Sequence, residues 1–198
     1  MARSDIIKAV LTGAEKANRT FSEWSGGAWL CDYGVEGFMV SEICRSIRKV
    51  HTTGYLTMEE PFNQMMECTG KLSRGRKPEI MGGSKRVDIA LWNSREYVTH
   101  VIEVKRQWNQ ESPRDLERLV ELQRKLTTVQ CGLFVLLVTA WGGRKALDEK
   151  VEQTRDAMWE NLPTDKYRFH YGRDYGSPHH EGDWRATSLC VEVYGRQG

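Results

Sequence analysis

Apolar residues recur at helical spacing in two segments of the first fifty residues. Between Asp5 and Lys16 they lie on one face of a short helix that Asp5 would cap, and between Val35 and Val50 they define a longer helix. A weaker helical pattern covers Thr57 to Thr69. The apolar positions of the two stronger helices are Ile6, Ile7, Val10, Leu11, Met39, Val40, Ile43 and Ile47. The pattern therefore predicts a mainly helical first third.

The hydrophobic pattern changes to that of β-strands near residue 86. Arg86 to Trp92 and Tyr97 to Lys105 read as strands joined by a turn at Asn93–Arg95, which predicts a hairpin. A helix starting at Pro113, capped by Ser112, runs to Leu126. It leads into Cys131–Trp141, an aliphatic run typical of a strand buried on both faces.

The remaining elements complete an α/β pattern. A further helix is predicted over Arg144–Leu162, with strands near Tyr167–Tyr171 and Thr187–Tyr194. The order helix, strands, helix, buried strand, helix, strands predicts a mixed β-sheet flanked by helices. No repeat or linker-like tract divides the chain, so we expect a single domain over residues 1–198.

The composition is that of a globular chain, with 39% hydrophobic and 28% charged residues in 198. Its longest apolar stretch, Cys131–Trp141, is about half the length that a membrane-spanning helix needs. The N-terminal residues show no signal-peptide pattern, so we expect a cytoplasmic protein without membrane association. The five cysteines form no C-x-x-C pair, as expected for reduced thiols.

The net charge of +2 is unevenly distributed. The segment from Lys71 to Arg86 contains six basic residues against one acidic residue, Glu79, a net +5. The six are Lys71, Arg74, Arg76, Lys77, Lys85 and Arg86. A positive segment on a near-neutral body is a candidate nucleic-acid contact, although a solvated charged loop is the commoner explanation.

The strands of the predicted hairpin contain three charged residues. Asp88 lies in the first strand, and Glu103 and Lys105 lie two residues apart at the end of the second, where their side chains project to the same face. A charged side chain on a buried strand costs free energy unless it is paired or holds a metal. The spacing alone is weak evidence, because an acidic residue and a lysine also lie two apart at Asp148 and Lys150, in a helix where they do not share a face.

Asp88 followed by Glu103-Val104-Lys105 after a hairpin, and then by a helix and a hydrophobic strand, resembles the PD-(D/E)xK nuclease superfamily. The resemblance covers roughly residues 34–141 and implies a restriction-endonuclease-like fold. It implies that the two acids bind a divalent metal and that the lysine positions or activates the attacking water. The residue before Asp88 is Val87 where the family motif has proline, a departure that weakens the match.

Two inward-facing polar residues extend the resemblance. The apolar stripe of the helix over Val35–Val50 is centred near Glu36, and many family members place a glutamate from this helix in the active site; Glu42, at the edge of the stripe, is the second choice. Gln123 lies on the apolar stripe of the next helix, where some relatives have a residue that approaches the substrate or water. An amide that hydrogen-bonds buried backbone is the alternative for Gln123.

The resemblance and these residues together predict a Mg²⁺- or Mn²⁺-dependent nuclease that hydrolyses phosphodiester bonds of DNA, most simply as an endonuclease. Asp88, Glu103 and the Val104 carbonyl offer oxygen ligands, Glu36 could hold a second ion or a water, and Lys105 supplies positive charge at the phosphate. RNA is left open as a substrate, and a homodimer is compatible with cutting both strands of a duplex.

Three alternatives remain at this stage. One is a structural Glu103–Lys105 ion pair with Asp88 exposed at a strand end. Another is a catalytically inactive nuclease-fold module that binds nucleic acid or a protein. The third is an unrelated α/β domain in which the motif is a coincidence.

Overall fold

The computed structural model describes residues 3–68, 85–160, 167–176 and 183–194. Its helices are α1 (Arg3–Trp24), α2 (Leu30–Tyr33), α3 (Glu36–Arg48), α4 (Phe62–Cys68), α5 (Ser112–Lys125) and α6 (Gly143–Trp159). Its strands are β1 (Tyr55–Pro61), β2 (Arg86–Trp92), β3 (Val98–Lys105), β4 (Cys131–Trp141), β5 (Tyr167–Tyr171), β6 (Tyr175–Gly176) and β7 (Trp184–Tyr194).

Seven strands within the described ranges form one mixed sheet. Their order is β1-β2-β3-β4-β7-β5, and β6 also pairs with β7. Among these strands β3 and β4 are the parallel neighbours, and the other pairs are antiparallel. A parallel pair needs a crossover connection, and α5 provides it. The predicted α/β class with helices flanking a mixed sheet is confirmed.

Helices cover both faces of the sheet. α1, α2 and α3 pack on one face, against residues such as Ile102, Val104 and Val135. α4, α5 and α6 pack on the other face, against Val101 and Phe134 among others. No helix of the described residues is both long and apolar enough to cross a bilayer.

Helix α1 is twice as long as its apolar pattern predicts, ending at Trp24 rather than near Lys16. The added turns contain Asn18, which is fully buried. Its side chain accepts a hydrogen bond of 2.8 Å from the Leu30 N–H and donates one of 2.9 Å to the Tyr175 hydroxyl. A polar residue that is buried because its partners come from distant segments leaves no periodic signal in the sequence.

The predicted helix over Thr57–Thr69 is wrong in its first half. Tyr55–Pro61 is a strand, β1, that pairs with β2, and the helix α4 begins only at Phe62. β1 is an edge strand with exposed residues such as Met58, so its hydrophobic alternation is weak. The predicted elements over α3, β2, β3, α5 and β4 are confirmed within a few residues.

Candidate active site

The strands β2 and β3 bring Asp88 and Glu103 opposite each other. The ladder between the strands ends at the pair Ile89–Ile102, and Asp88 and Glu103 are the next residues. Beyond that pair, the Val104 N–H donates a hydrogen bond of 2.6 Å to Asp88 Oδ2. Because side chains alternate along a strand, both carboxyl groups lie on the face that α5 covers.

The two carboxyl groups share a poorly solvated space. Burial raises the pKa of Asp88 to about 6, against the lowering effects of the Val104 N–H and of Lys105. Glu103 is only 2% exposed, and burial together with the Asp88 charge raises its pKa well above the usual value. At neutral pH the pair therefore holds one proton, with Glu103 neutral and hydrogen-bonded to an ionised Asp88.

Glu103 also has an oxygen without a hydrogen bond. Its Oε1 is buried and receives no hydrogen bond from the described residues. The nearest cation recorded for this oxygen is Arg118, with a nitrogen 3.7 Å away. An unsatisfied buried carboxyl oxygen beside a second carboxyl group is a costly arrangement, and a bound cation would relieve it.

Lys105 lies between two acids at the end of β3. Its ammonium is 3.4 Å from Glu36 Oε1 and 3.2 Å from Asp115 Oδ2. Burial lowers the pKa of Lys105, but Asp115, Glu36 and Asp88 outweigh that effect and raise it above the usual value. Lys105 is therefore a permanent cation at neutral pH, and it cannot act as a general base.

Asp115 and Arg118 belong to the same cluster, and the sequence analysis missed both. They are one turn apart on α5, where Arg118 bonds to Asp115 and faces Glu103. Asp115 is 4% exposed and Arg118 is 9% exposed. The available signal was the position of Asp115 on the buried side of α5 beside Leu116 and Leu119, the criterion that singled out Gln123.

The expected Glu103–Lys105 ion pair is not what the structure records. Glu103 has Arg118 as its cation, and Lys105 has Glu36 and Asp115 as its anions. Asp88 is partly buried rather than exposed at a strand end. The four ionic groups on β2, β3 and α5 therefore form one connected network with Glu36, not a single pair.

Glu36 approaches the cluster from the other face of the sheet. It is the first residue of α3, and its side chain is 36% exposed, so it does not face the core as the stripe predicted. Its charge is close enough to raise the pKa of Asp88. Glu42, the second choice, is buried but lies between Lys16 (2.8 Å) and Arg45 (3.0 Å) in the contact of α1 with α3.

Gln123 is not brought to the cluster, which corrects its predicted catalytic role. Its Nε2 donates a hydrogen bond of 2.6 Å to the Val193 carbonyl on β7 and lies beside Gly132. Gly132 pairs with Val101, four residues before Lys105 on β3 and therefore about 13 Å from it along the strand. Gln123 satisfies buried backbone, which was the alternative interpretation.

Most of the predicted nucleic-acid segment cannot be compared with the structure. Lys71, Arg74, Arg76 and Lys77 lie outside the described residues. Of the other two, Arg86 is exposed two residues before Asp88 and donates a hydrogen bond of 3.1 Å to the Glu59 carbonyl, while Lys85 is half-buried. Positive charge therefore does begin next to the carboxyl pair.

The donor set fits a hard divalent cation in part. Asp88 and Glu103 offer carboxylate oxygens, and the Val104 peptide faces β2, since its N–H reaches Asp88 and the carbonyl of a strand residue points the same way as its N–H. In the described part of the chain, no three Asp, Glu, His or Cys side chains are grouped as a metal site. Glu36 in particular is paired with Lys105.

Comparison of the chain with protein-family models, with curated proteins and with solved structures gives no match. The geometry of the cluster is therefore the basis for a functional assignment.

Proposed function

We propose that this protein is a metal-dependent nuclease that hydrolyses phosphodiester bonds of DNA as an endonuclease, with Mg²⁺ or Mn²⁺ as its cofactor. The observation that carries the proposal is the Asp88–Glu103 pair, with an unsatisfied oxygen and a permanently charged lysine beside it. Neither acid gains stability from its position, since burial disfavours both charges. Costly acids placed together are typical of functional sites.

The order of the elements also supports the resemblance to the PD-(D/E)xK superfamily. A helix bearing Glu36 precedes the sheet, a hairpin bears Asp88 and Glu103, and the crossover helix α5 leads to the buried strand β4. The restriction-endonuclease-like fold is proposed on this order and on the motif residues together.

Asp88, Glu103 and the Val104 carbonyl would hold the cation. When bound, the cation would lower the pKa of the attacking water and stabilise charge on the phosphate. Its binding requires both carboxyl groups to be ionised, so the proton that Glu103 holds must leave. Arg118 faces Glu103 and favours that ionised form.

Lys105 would stabilise the additional negative charge that develops on the phosphate during hydrolysis. Its ammonium is held by acids from two different helices, Asp115 on α5 and Glu36 on α3, which fixes its position at the end of β3. Of these acids, Glu36 is the more exposed and has room to accept a proton from the attacking water.

A second candidate is a module that binds nucleic acid or protein without cleaving it. The observation that favours it is the internal neutralisation of the cluster, because Arg118 and Lys105 already face Glu103, Asp115 and Glu36. Such a network can hold a fold together without a metal.

A cleavage assay separates the two candidates. Purified protein should nick or cut supercoiled plasmid with Mg²⁺ or Mn²⁺ and stop with EDTA, and linear, single-stranded, branched and RNA substrates should be tested in parallel. Asp88→Asn and Lys105→Met should each reduce the rate at least a hundredfold with the fold intact. Asp156→Asn, a change on the surface of α6, is the matched control. Equal cleavage by all variants would refute the nuclease, and metal-independent binding without cleavage would support the module.

A further inference from the structure

A long groove runs between α1 and the edge strand β5. It consists of two cavities of about 510 and 760 Å³ that share Lys8, Leu11 and Tyr171 and are therefore continuous. The first cavity begins at Arg3, and the second reaches Arg19. At a rise of 1.5 Å per residue, this part of α1 is about 24 Å long.

The groove is strongly basic. Its cationic side chains are Arg3, Lys8, Lys16, Arg19, Arg168 and Arg173. Its two acids are already neutralised within the groove, since Arg3 bonds to Glu192 and Arg19 bonds to Glu15 at 3.0 Å. The groove therefore has an excess of positive charge along its whole length.

Three of the cations are available to a ligand. Lys8, Arg168 and Arg173 are exposed, and none of them forms an ion pair with another described residue. Arg168 has only the ring of Tyr194, 5.7 Å from its guanidinium carbon, as a recorded partner. They lie on both walls of the groove, with Lys8 on α1 and Arg168 and Arg173 on or just after β5.

The groove ends close to the level of the candidate active site. Lys105 pairs with Leu136, Leu136 pairs with Leu189, and Leu189 pairs with Tyr171, so one row of residues joins the site to the groove. Three strand spacings separate the two ends of that row, about 14 Å. This distance is the axial length of about four base pairs.

We propose that the groove between α1 and β5 binds the phosphodiester backbone of a nucleic-acid strand. Charge complementarity identifies the occupant, because a row of unpaired cations about 24 Å long matches the regular spacing of phosphates and exceeds what a single small anion needs. The inference deepens the proposed function and rests on it, since it names a surface that holds the substrate beyond the bond to be cleaved.

Binding measured without cleavage tests the groove. Fluorescence anisotropy in EDTA would follow a labelled 20-nucleotide single strand and a 20-base-pair duplex at several salt concentrations. The double variant Lys8→Gln/Arg173→Gln should bind at least fivefold more weakly near 0.1 M salt. With the single strand, the slope of log affinity against log salt should become shallower by about 1.4, because each lost phosphate contact removes about 0.7.

The matched control is Arg95→Gln/Lys145→Gln. It removes one exposed arginine from the β2–β3 turn and one exposed lysine from α6, with the same change of net charge. This control should bind within twofold of the unchanged protein. Equal loss in both double variants would mean that only net charge matters and would overturn the groove, as would a groove variant with unchanged affinity and slope or an unchanged protein that binds neither probe.

The groove and the nuclease can fail separately. Selective loss of binding in the groove variant, together with an inactive unchanged protein in Mg²⁺ and Mn²⁺, supports the groove and refutes the nuclease. Cleavage by the unchanged protein, with an unaltered KM in the groove variant, supports the nuclease and overturns the groove.

Discussion

Asp115 on α5 lies 3.2 Å from the ammonium of Lys105 on β3. Asp115 also bonds to Arg118, the residue that faces Glu103, so a single carboxylate contacts both cations of the cluster. It touches no candidate metal ligand itself. Asp115 is therefore placed as a positioning residue, one that acts through Lys105 and Arg118.

Replacing Asp115 by asparagine should slow cleavage about tenfold, because Lys105 loses one of its two acidic partners. The fall should appear in kcat with KM little changed, and the pH profile should move because the Asp115 charge also acts on Glu103. Steady-state kinetics between pH 5 and 9 would measure both effects. Asp148→Asn on the exposed side of α6 is the control, and equal kinetics in the two variants would show that Asp115 does not position Lys105.

Replacing Asp88 by asparagine should stabilise the metal-free protein at pH 8 while abolishing cleavage. The substitution removes a charge that burial disfavours, and an asparagine oxygen can still accept the Val104 N–H. The expected gain in the free energy of unfolding is about 2 kcal/mol, since one pKa unit corresponds to about 1.4 kcal/mol. Urea unfolding in EDTA would measure it. Asp156→Asn should change stability by less than about 0.5 kcal/mol, and a destabilised Asp88→Asn would contradict the expectation.

The metal-free protein should lose stability as pH rises from about 4 to 6. The pKa of Asp88 rises on folding from 3.8 to about 6, so the folded state holds its proton more tightly. The stability contributed by that proton is present below pH 4 and is lost as pH passes 6. Thermal unfolding in EDTA across this range would show the decline, and Asp88→Asn should reduce it.

Mg²⁺ should restore stability only where the carboxyl groups can ionise. A ligand that binds the folded state raises Tm, and protons compete with the cation for Asp88 and Glu103. We expect 10 mM MgCl₂ to raise Tm by several degrees at pH 8 and by nearly nothing at pH 5. The rise should be absent in Glu103→Gln; a rise of equal size in that variant would place the cation elsewhere.

Gln123 should matter for stability and not for chemistry. Gln123→Ala leaves the buried Val193 carbonyl without its side-chain donor, which typically costs 1 to 3 kcal/mol. Activity per folded molecule should stay within twofold of the unchanged protein. Urea unfolding and active-site kinetics would test both statements, with Gln130→Ala at an exposed position as the control. A large loss of kcat at full stability would return Gln123 to the active site.

The sequence was sufficient to predict the elements that bury a continuous apolar face. α3, α5, β2, β3 and β4 have clear periodicity because each packs against a core. β1 was mistaken for a helix because an edge strand buries little and its alternation is weak. The length of α1 was underestimated because Asn18 is buried through partners that lie far away along the chain.

Predictions about the site followed the same division. The opposition of Asp88 and Glu103 follows from the hairpin register, which sequence predicts well. The contribution of Asp115 does not, because an Asp and an Arg one turn apart usually form a solvated pair on a helix surface. Only the packing of α5 on β3 shows that this pair is buried against Lys105.

The hydrogen bond from the Val104 amide to Asp88 makes a natural reporter of the carboxyl group. An amide proton bonded to an ionised carboxylate resonates and exchanges differently from one bonded to a neutral acid. In a ¹⁵N-labelled sample, the Val104 cross-peak would therefore follow the titration of Asp88 directly, and its response to added Mg²⁺ would show whether the ion arrives next to that side chain.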